Sequence, residues 1–174
     1  KILVLDVITS AYIAVLRGTP ILLQLYFFWL ILPKVLPFKL SDTNSIIIAL
    51  IINASSYVAE IIRAGIQAVD KGQVEAARSL GLTAAHTMKE IVLPQAVKNI
   101  LPALGNEYIN MVKQTSLASV FFAPELMTSY KTVQSATFLA IPPLVIVGLI
   151  YLIVTAVLSK GLNLFERRLQ RNEA

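Results

Sequence analysis

Cysteine is absent from this chain, and histidine occurs once, at position 86. The first absence excludes a disulfide framework and thiol chemistry, and together they leave no Cys/His cluster to hold a metal. Neither G-x-x-x-x-G-K-[ST] nor G-x-G-x-x-G occurs, so the chain has no recognisable phosphate cradle. No nucleophile stands beside His86, which reads as a solvated or partner-facing surface residue. Charge is scarce as well: charged residues make up 14% of the 174, against 56% hydrophobic, with a mean hydropathy of +0.72. That apolar share exceeds what a soluble fold carries, so the chain reads as a membrane protein of one domain, residues 1–174. A net charge of +5 could fit nucleic acid. The cations, however, sit beside the ends of apolar runs, where topology signals sit; membrane lipid is the expected contact and nucleic acid is not. There is no starting Met and no signal-peptide layout, so the chain reads as beginning mid-protein.

Residues 2–32 are almost continuously apolar, broken at Asp6 and at Arg17-Gly18-Thr19-Pro20. A span needs about 20 residues, so this run is too short for two spans and too long for one. Residues 2–16 read as a helix at or entering the cytoplasmic interface, and 19–36 as a span. Three further spans are expected over 45–64, 101–122 and 141–162, with a polar loop over 65–100 and a short segment over 124–137 crossing the opposite surface. Within the polar loop, residues 70–94 read as two short helices. Val74, Ala77 and Leu80 recur at helical spacing up to Gly81, which stands where a left-handed helix terminus belongs. Thr83 is a candidate N-cap for the second helix, Met88, Ile91 and Val92 form its apolar stripe, and Pro94 is expected to end it. A helix-turn-helix between two spans is a docking surface.

Glu75-Ala76-Ala77, then Gly81, then Ile91-Val92-Leu93-Pro94 fill every fixed position of the EAA pattern, at its spacing. The stretch resembles the EAA loop of the permease subunits of bacterial ABC importers. Arg17-Gly18-Thr19-Pro20, Tyr57-Val58-Ala59-Glu60-Ile61, Lys71-Gly72-Gln73, Leu101-Pro102-Ala103-Leu104-Gly105-Asn106 and Lys113-Gln114-Thr115-Ser116-Leu117 are similar to the polar amino acid uptake branch of that family. The resemblance implies an all-α, type I importer-like helical bundle of about four spans with an N-terminal interfacial helix, one span fewer than such permeases usually carry. It also implies that Glu75, Ala76, Ala77, Arg78 and Gly81 couple the spans to a separate ATPase. ATP and its Mg would bind that ATPase, with no cofactor on this chain. The other implied partners are a second permease subunit, identical or paralogous, and an extracytoplasmic amino acid-binding protein. Of the cations, eleven fall on the side of the EAA loop and three on the other, which puts that loop and the C-terminus in the cytoplasm.

Two expected spans carry polar stripes. At 100° per residue, Asn106, Glu107, Asn110, Lys113 and Gln114 fall within about 120° of arc, and Asn53, Ser56, Tyr57 and Glu60 within about 100°. Ionisable groups at mid-membrane cost about 2.5 to 3.5 kcal/mol on insertion scales and seldom face lipid. The stripes therefore line a polar cavity or serve as packing contacts between helices. Glu60 and Arg63 fit an interfacial ion pair, and Lys113 is placed to neutralise Glu60 or Glu107. Glu107 is the candidate substrate contact: an acid after Gly-Asn is similar to members handling basic amino acids, and a carboxylate in a low-dielectric cavity attracts a guanidinium or ammonium. Asn110, Gln114, Thr115, Asn53, Tyr57 and Gln24 are secondary candidates. Glu125 reads as a helix-start acid. The expected function is the permease subunit of an ATP-driven importer of polar, and specifically basic, amino acids, with no enzymatic site of its own. The rival reading is an ion-coupled secondary carrier or channel with Glu107 and Lys113 as its relay.

Overall fold

The computed structural model describes the backbone of residues 3–171 and the side chains of 3–168. Lys1 and Arg171, two of the cations counted for topology, lie outside the described side chains. Every regular element among the described residues is helical: α1 (Leu3–Gly18), α2 (Ile21–Val35), α3 (Asp42–Gln67), α4 (Lys71–Ser79), α5 (Ala84–Thr87), a π-helical turn (Met88–Val92), α6 (Leu93–Gln114), a 3-10 stretch (Thr115–Phe121), α7 (Leu126–Thr137) and α8 (Ile141–Arg171).

α3 is the central helix, packed on α1, α2 and α6, while α8 lies against α6 and α7. One apolar cluster joins Leu25, Ile46, Ala49, Leu50, Ala118 and Phe121 between α2, α3 and the 3-10 stretch. A second, of Val69, Val92 and Ala96 with Ile66, Val74 and Ile100, fixes the polar loop to the ends of α3 and α6. Association of helices in lipid depends on close van der Waals packing. Two glycines provide it here: a Cβ on Gly65 would stand 2.3 Å from Ile100 Cγ1, and one on Gly105 2.2 Å from Leu162 Cδ1.

Two helices, Asp42–Gln67 and Ile141–Arg168, are each long and apolar enough to cross a membrane, and a third span exists if α1 and α2 count as one bent pair. Helix bounds differ from the expected runs at two places. In the run 19–36 the helix α2 has 15 residues, about 22 Å of helix against a hydrocarbon core of about 30 Å. It meets α1 at 110°. The bend has a local cause. Pro20 has no N–H to bond the Leu16 carbonyl, and the Gln24 side chain takes that carbonyl instead, Nε2 to O at 2.7 Å. Where a span is expected over 101–122, the helix runs from 93 to 114 and then tightens into the 3-10 stretch.

Pro94 was expected to end the second helix of the loop, and it does not. The π turn carries the chain through it, Leu93 N–H bonding the Met88 carbonyl five residues back. Widening the turn relieves the clash a proline ring makes with the preceding α turn. The expected stripe shifts accordingly. Val92 is buried, but Met88 is 41% exposed, and Thr87 takes the inward place.

Candidate functional site

The polar loop forms as its capping residues dictate. Asp70 starts α4 by accepting from Gly72 N–H at 2.6 Å, and Thr83 starts α5 by accepting from His86 N–H at 3.3 Å. Gly81 sits between them at φ +87°, a conformation costly to any residue with a Cβ. Its N–H bonds the Arg78 carbonyl at 3.1 Å and the Leu82 N–H bonds the Ala77 carbonyl at 3.2 Å, the double closure of a Schellman motif. Arg78 donates to the Leu82 carbonyl, so its guanidinium braces the turn. Glu75, Ala76, Arg78 and Gly81 are exposed, whereas Ala77 is turned inward. Leu80, which continues the spacing of Val74 and Ala77, is 82% exposed at the tip.

The two polar stripes have different fates. On α3 the polar groups are consumed within the chain. Asn53 Nδ2 donates to Gln24 Oε1 at 2.9 Å, and Gln24 Nε2 also reaches Thr19 Oγ1 at 2.8 Å. Ser56 Oγ bonds the Asn53 carbonyl at 2.7 Å. Gln24, Asn53 and Ser56 are all buried, and these bonds engage them inside the chain. Tyr57 lies under Arg17, the guanidinium carbon 5.7 Å from the ring centre. Glu60 pairs with Arg63, as the three-residue spacing implied, and also with Arg17 at 3.3 Å. The Arg17 contact ties the α1–α2 corner to α3. Sequence reasoning missed it, because nothing local links positions 43 residues apart.

On α6 Asn106 Nδ2 donates to the Pro102 carbonyl at 3.1 Å, but other groups remain available. Glu107 is half-buried, and its Oε1, like Oε1 of Gln114, is buried with no hydrogen-bond partner in the chain. The two residues are seven apart, hence on nearly the same face. Asn110 lies between them, half-buried. Thr115 is exposed and donates its hydroxyl to the Val112 carbonyl at 2.7 Å, at the start of the 3-10 stretch. Among the described residues no ion pair joins Lys113 to Glu60 or to Glu107. A buried, unpartnered carboxylate oxygen carries a large penalty unless a donor approaches it, and a cationic ligand supplies one. Glu125 behaves as its position implied, accepting from Met127 N–H at 2.8 Å to start α7. The Tyr151 hydroxyl donates to the same carboxylate at 3.2 Å.

Residues 3–171 match the family described as binding-protein-dependent transport system inner membrane component. The arginine transport system permease protein ArtQ of Bacillus subtilis is 40% identical over 95% of this chain and 76% of its own length. The probable glutamine ABC transporter permease protein GlnM of the same organism is 40% identical over 94% and 75%. A crystal structure of an amino acid ABC transporter with histidines superposes with a TM-score of 0.91 at 47% identity, over 97% of this chain and 78% of that one. The inward-facing MetNI methionine ABC transporter has a TM-score of 0.76 at 16% identity, a likeness of fold.

Proposed function

The chain belongs to the family of binding-protein-dependent transport system inner membrane components, and from that premise we propose that it conducts a basic amino acid, arginine, histidine or lysine, through an ATP-driven importer. Members of the family are membrane-embedded permease subunits and not themselves enzymes. In the proposed assembly two permease subunits, identical or paralogous, enclose the path, and a binding protein delivers the substrate from outside. Separate ATPase subunits hold ATP and Mg and drive alternation between outward and inward states. The observation that carries the specificity is the Glu107 carboxylate, whose buried Oε1 has no partner in the chain. Asn110, Gln114 and Thr115 add neutral hydrogen bonds to its surroundings. Support also comes from the arginine named for one relative and from the histidines in the solved amino acid transporter, while an equally similar relative is named for glutamine.

The EAA loop is the proposed contact for the ATPase, on the cytoplasmic side. Exposed Glu75 and Leu80 offer it a charge and an apolar knob, and the rigid Gly81 turn keeps the angle between α4 and α5 constant under load. The binding energy that shifts the alternation must differ between the two states, and neutralisation of Glu107 by substrate in one of them supplies such a difference.

Uptake of labelled arginine, histidine and glutamine into vesicles holding the permease and its ATPase tests the proposal. ATP-dependent arginine uptake is expected, and Glu107→Gln should lower the arginine-to-glutamine ratio about 10- to 100-fold, the worth of one charge-assisted hydrogen bond. An unchanged ratio would remove Glu107 from selection. Uptake driven by an ion gradient without ATP would overturn the importer reading.

A further inference from the structure

The corner between α1 and α2 encloses a cleft of about 230 Å³ to which no residue of α6 contributes. Its walls are Val15 and Leu16 from the end of α1 and Leu23, Phe27 and Phe28 from α2. Of the lining side chains only Thr19 and Gln24 are polar, and both are engaged within the chain. Thr19 donates to the Val15 carbonyl at 2.8 Å and accepts from Gln24, whose own amide oxygen accepts from Asn53. The cleft therefore offers a ligand apolar surface and no free hydrogen-bonding group, which suits a hydrocarbon chain and penalises a polar solute. Val15, Leu23 and Phe27 are exposed at its rim. Val15 also continues a stripe along α1 with exposed Val4 and Ile8, all within about 40° of arc. In an inner membrane component such a stripe faces lipid.

Positive charge is in excess beside this corner. Arg17, between the lining residues Leu16 and Thr19, shares the Glu60 carboxylate with Arg63. The three side chains together carry one net positive charge, and the two arginines are 41% and 56% exposed. Glu60 stands seven residues, about 10 Å, short of the end of α3 at Gln67. From that depth long arginine side chains reach headgroup level while their stems stay in apolar surroundings. We infer that the α1–α2 corner is a site for an anionic phospholipid, with one acyl chain in the cleft and the phosphate on Arg17 and Arg63. The acyl chain packs the inner angle of a bend that the Pro20 break opens. The inference needs only the membrane setting of the family and is independent of which amino acid is carried.

The chain has no cysteine, so a benzophenone can be attached at one chosen position: Leu23→Cys at the rim of the cleft or, for reference, Leu152→Cys on the exposed face of α8. The labelled permease–ATPase complex is irradiated in nanodiscs of equal parts phosphatidylglycerol and phosphatidylcholine, and mass spectrometry of the labelled peptide identifies what each position captures. Position 152 should take the two lipids about equally. Position 23 should prefer phosphatidylglycerol about fivefold, the worth of one surface charge against an anionic lipid. Arg63→Gln, which leaves the Arg17–Glu60 pair, should bring that ratio to about one, Arg63→Lys should keep it, and Glu60→Gln should raise it. Size-exclusion profiles and the reference position identify the folded variants. A network serving only to hold the helices would not move the ratio in opposite directions. Equal capture of the two lipids at position 23, or a ratio unmoved by Arg63→Gln or lowered by Glu60→Gln, overturns the lipid site. Capture of a protein segment at position 23 gives the cleft to a protein and overturns it as well. Each of these results leaves the importer reading standing.

Discussion

Gln24 and Asn53 offer the sharpest test of how the α1–α2 corner is held. Gln24 is 6% and Asn53 2% exposed. The Gln24 amide gives Nε2 to the Leu16 carbonyl, the Thr19 carbonyl and Thr19 Oγ1 while Oε1 accepts from Asn53. Asn53→Leu removes one of these bonds and leaves Oε1 buried without a donor. Unsatisfied buried groups cost about 1 to 3 kcal/mol in soluble proteins, whereas bonds between membrane helices average about 0.6 and reach about 1.7. About 1 kcal/mol is therefore expected. Gln24→Met removes all four bonds and also orphans the Leu16 carbonyl that Pro20 cannot serve, so about 2 to 3 kcal/mol is expected. In the double variant the lost Asn53 bond is counted once, and the total should fall short of the sum by about 1 kcal/mol. Equilibrium unfolding of the purified protein in mixed micelles measures all three. Additivity within about 0.4 kcal/mol, or a larger loss for Asn53→Leu than for Gln24→Met, would refute the reasoning.

Gly105→Ala should destabilise by about 1 to 3 kcal/mol, because its Cβ would collide with Leu162. Leu162→Ala should recover part of that loss in the double variant, read as the midpoint of thermal unfolding in detergent. Gly81→Ala meets no atom within 4 Å, so only the φ of +87° opposes it. A cost of about 1 kcal/mol is expected, with Gly81→Asn cheaper. The same substitution should lower substrate-stimulated ATP hydrolysis by the assembled transporter more than Gly18→Ala does, since a Cβ on Gly18 also meets nothing. Glu125→Gln weakens the start of α7 and the Tyr151 contact. Faster amide hydrogen exchange should follow in α7 and not in α4.

The features legible in the sequence were those whose cause lies within a few residues. The Thr83 and Glu125 caps, the Glu60–Arg63 pair and the left-handed Gly81 follow from spacing alone, and each is present. The features that escaped are non-local or arise from competition. Arg17 reaches Glu60 only because α1 folds back at the Pro20 corner, and a run of apolar residues does not announce a bend of 110°. Polarity in a span is ambiguous between lining and packing, and only the fold shows that Gln24 and Asn53 are buried and bonded to each other. Glu107 and Gln114 looked the same in sequence, yet their oxygens have no partner in the chain. Pro94 was misplaced because the rule that proline ends a helix assumes an α turn before it.

The π turn has one more consequence, for the phase of the helical path. An i-to-i+5 turn holds one residue more than an α turn, so every side chain after position 92 is offset by about 100° from where an unbroken helix begun at 84 would put it. The inward positions record the slip: Thr87, Val92 and Ala96 are all buried, at intervals of five and then four. The azimuth of Glu107 around α6 is therefore set partly by a single surplus residue 15 positions upstream, at the joint between the loop and the helix. Excising one residue from 88–92 would present a different edge of α6 to its neighbours, and it would also break the spacing of the motif from Gly81 to Pro94.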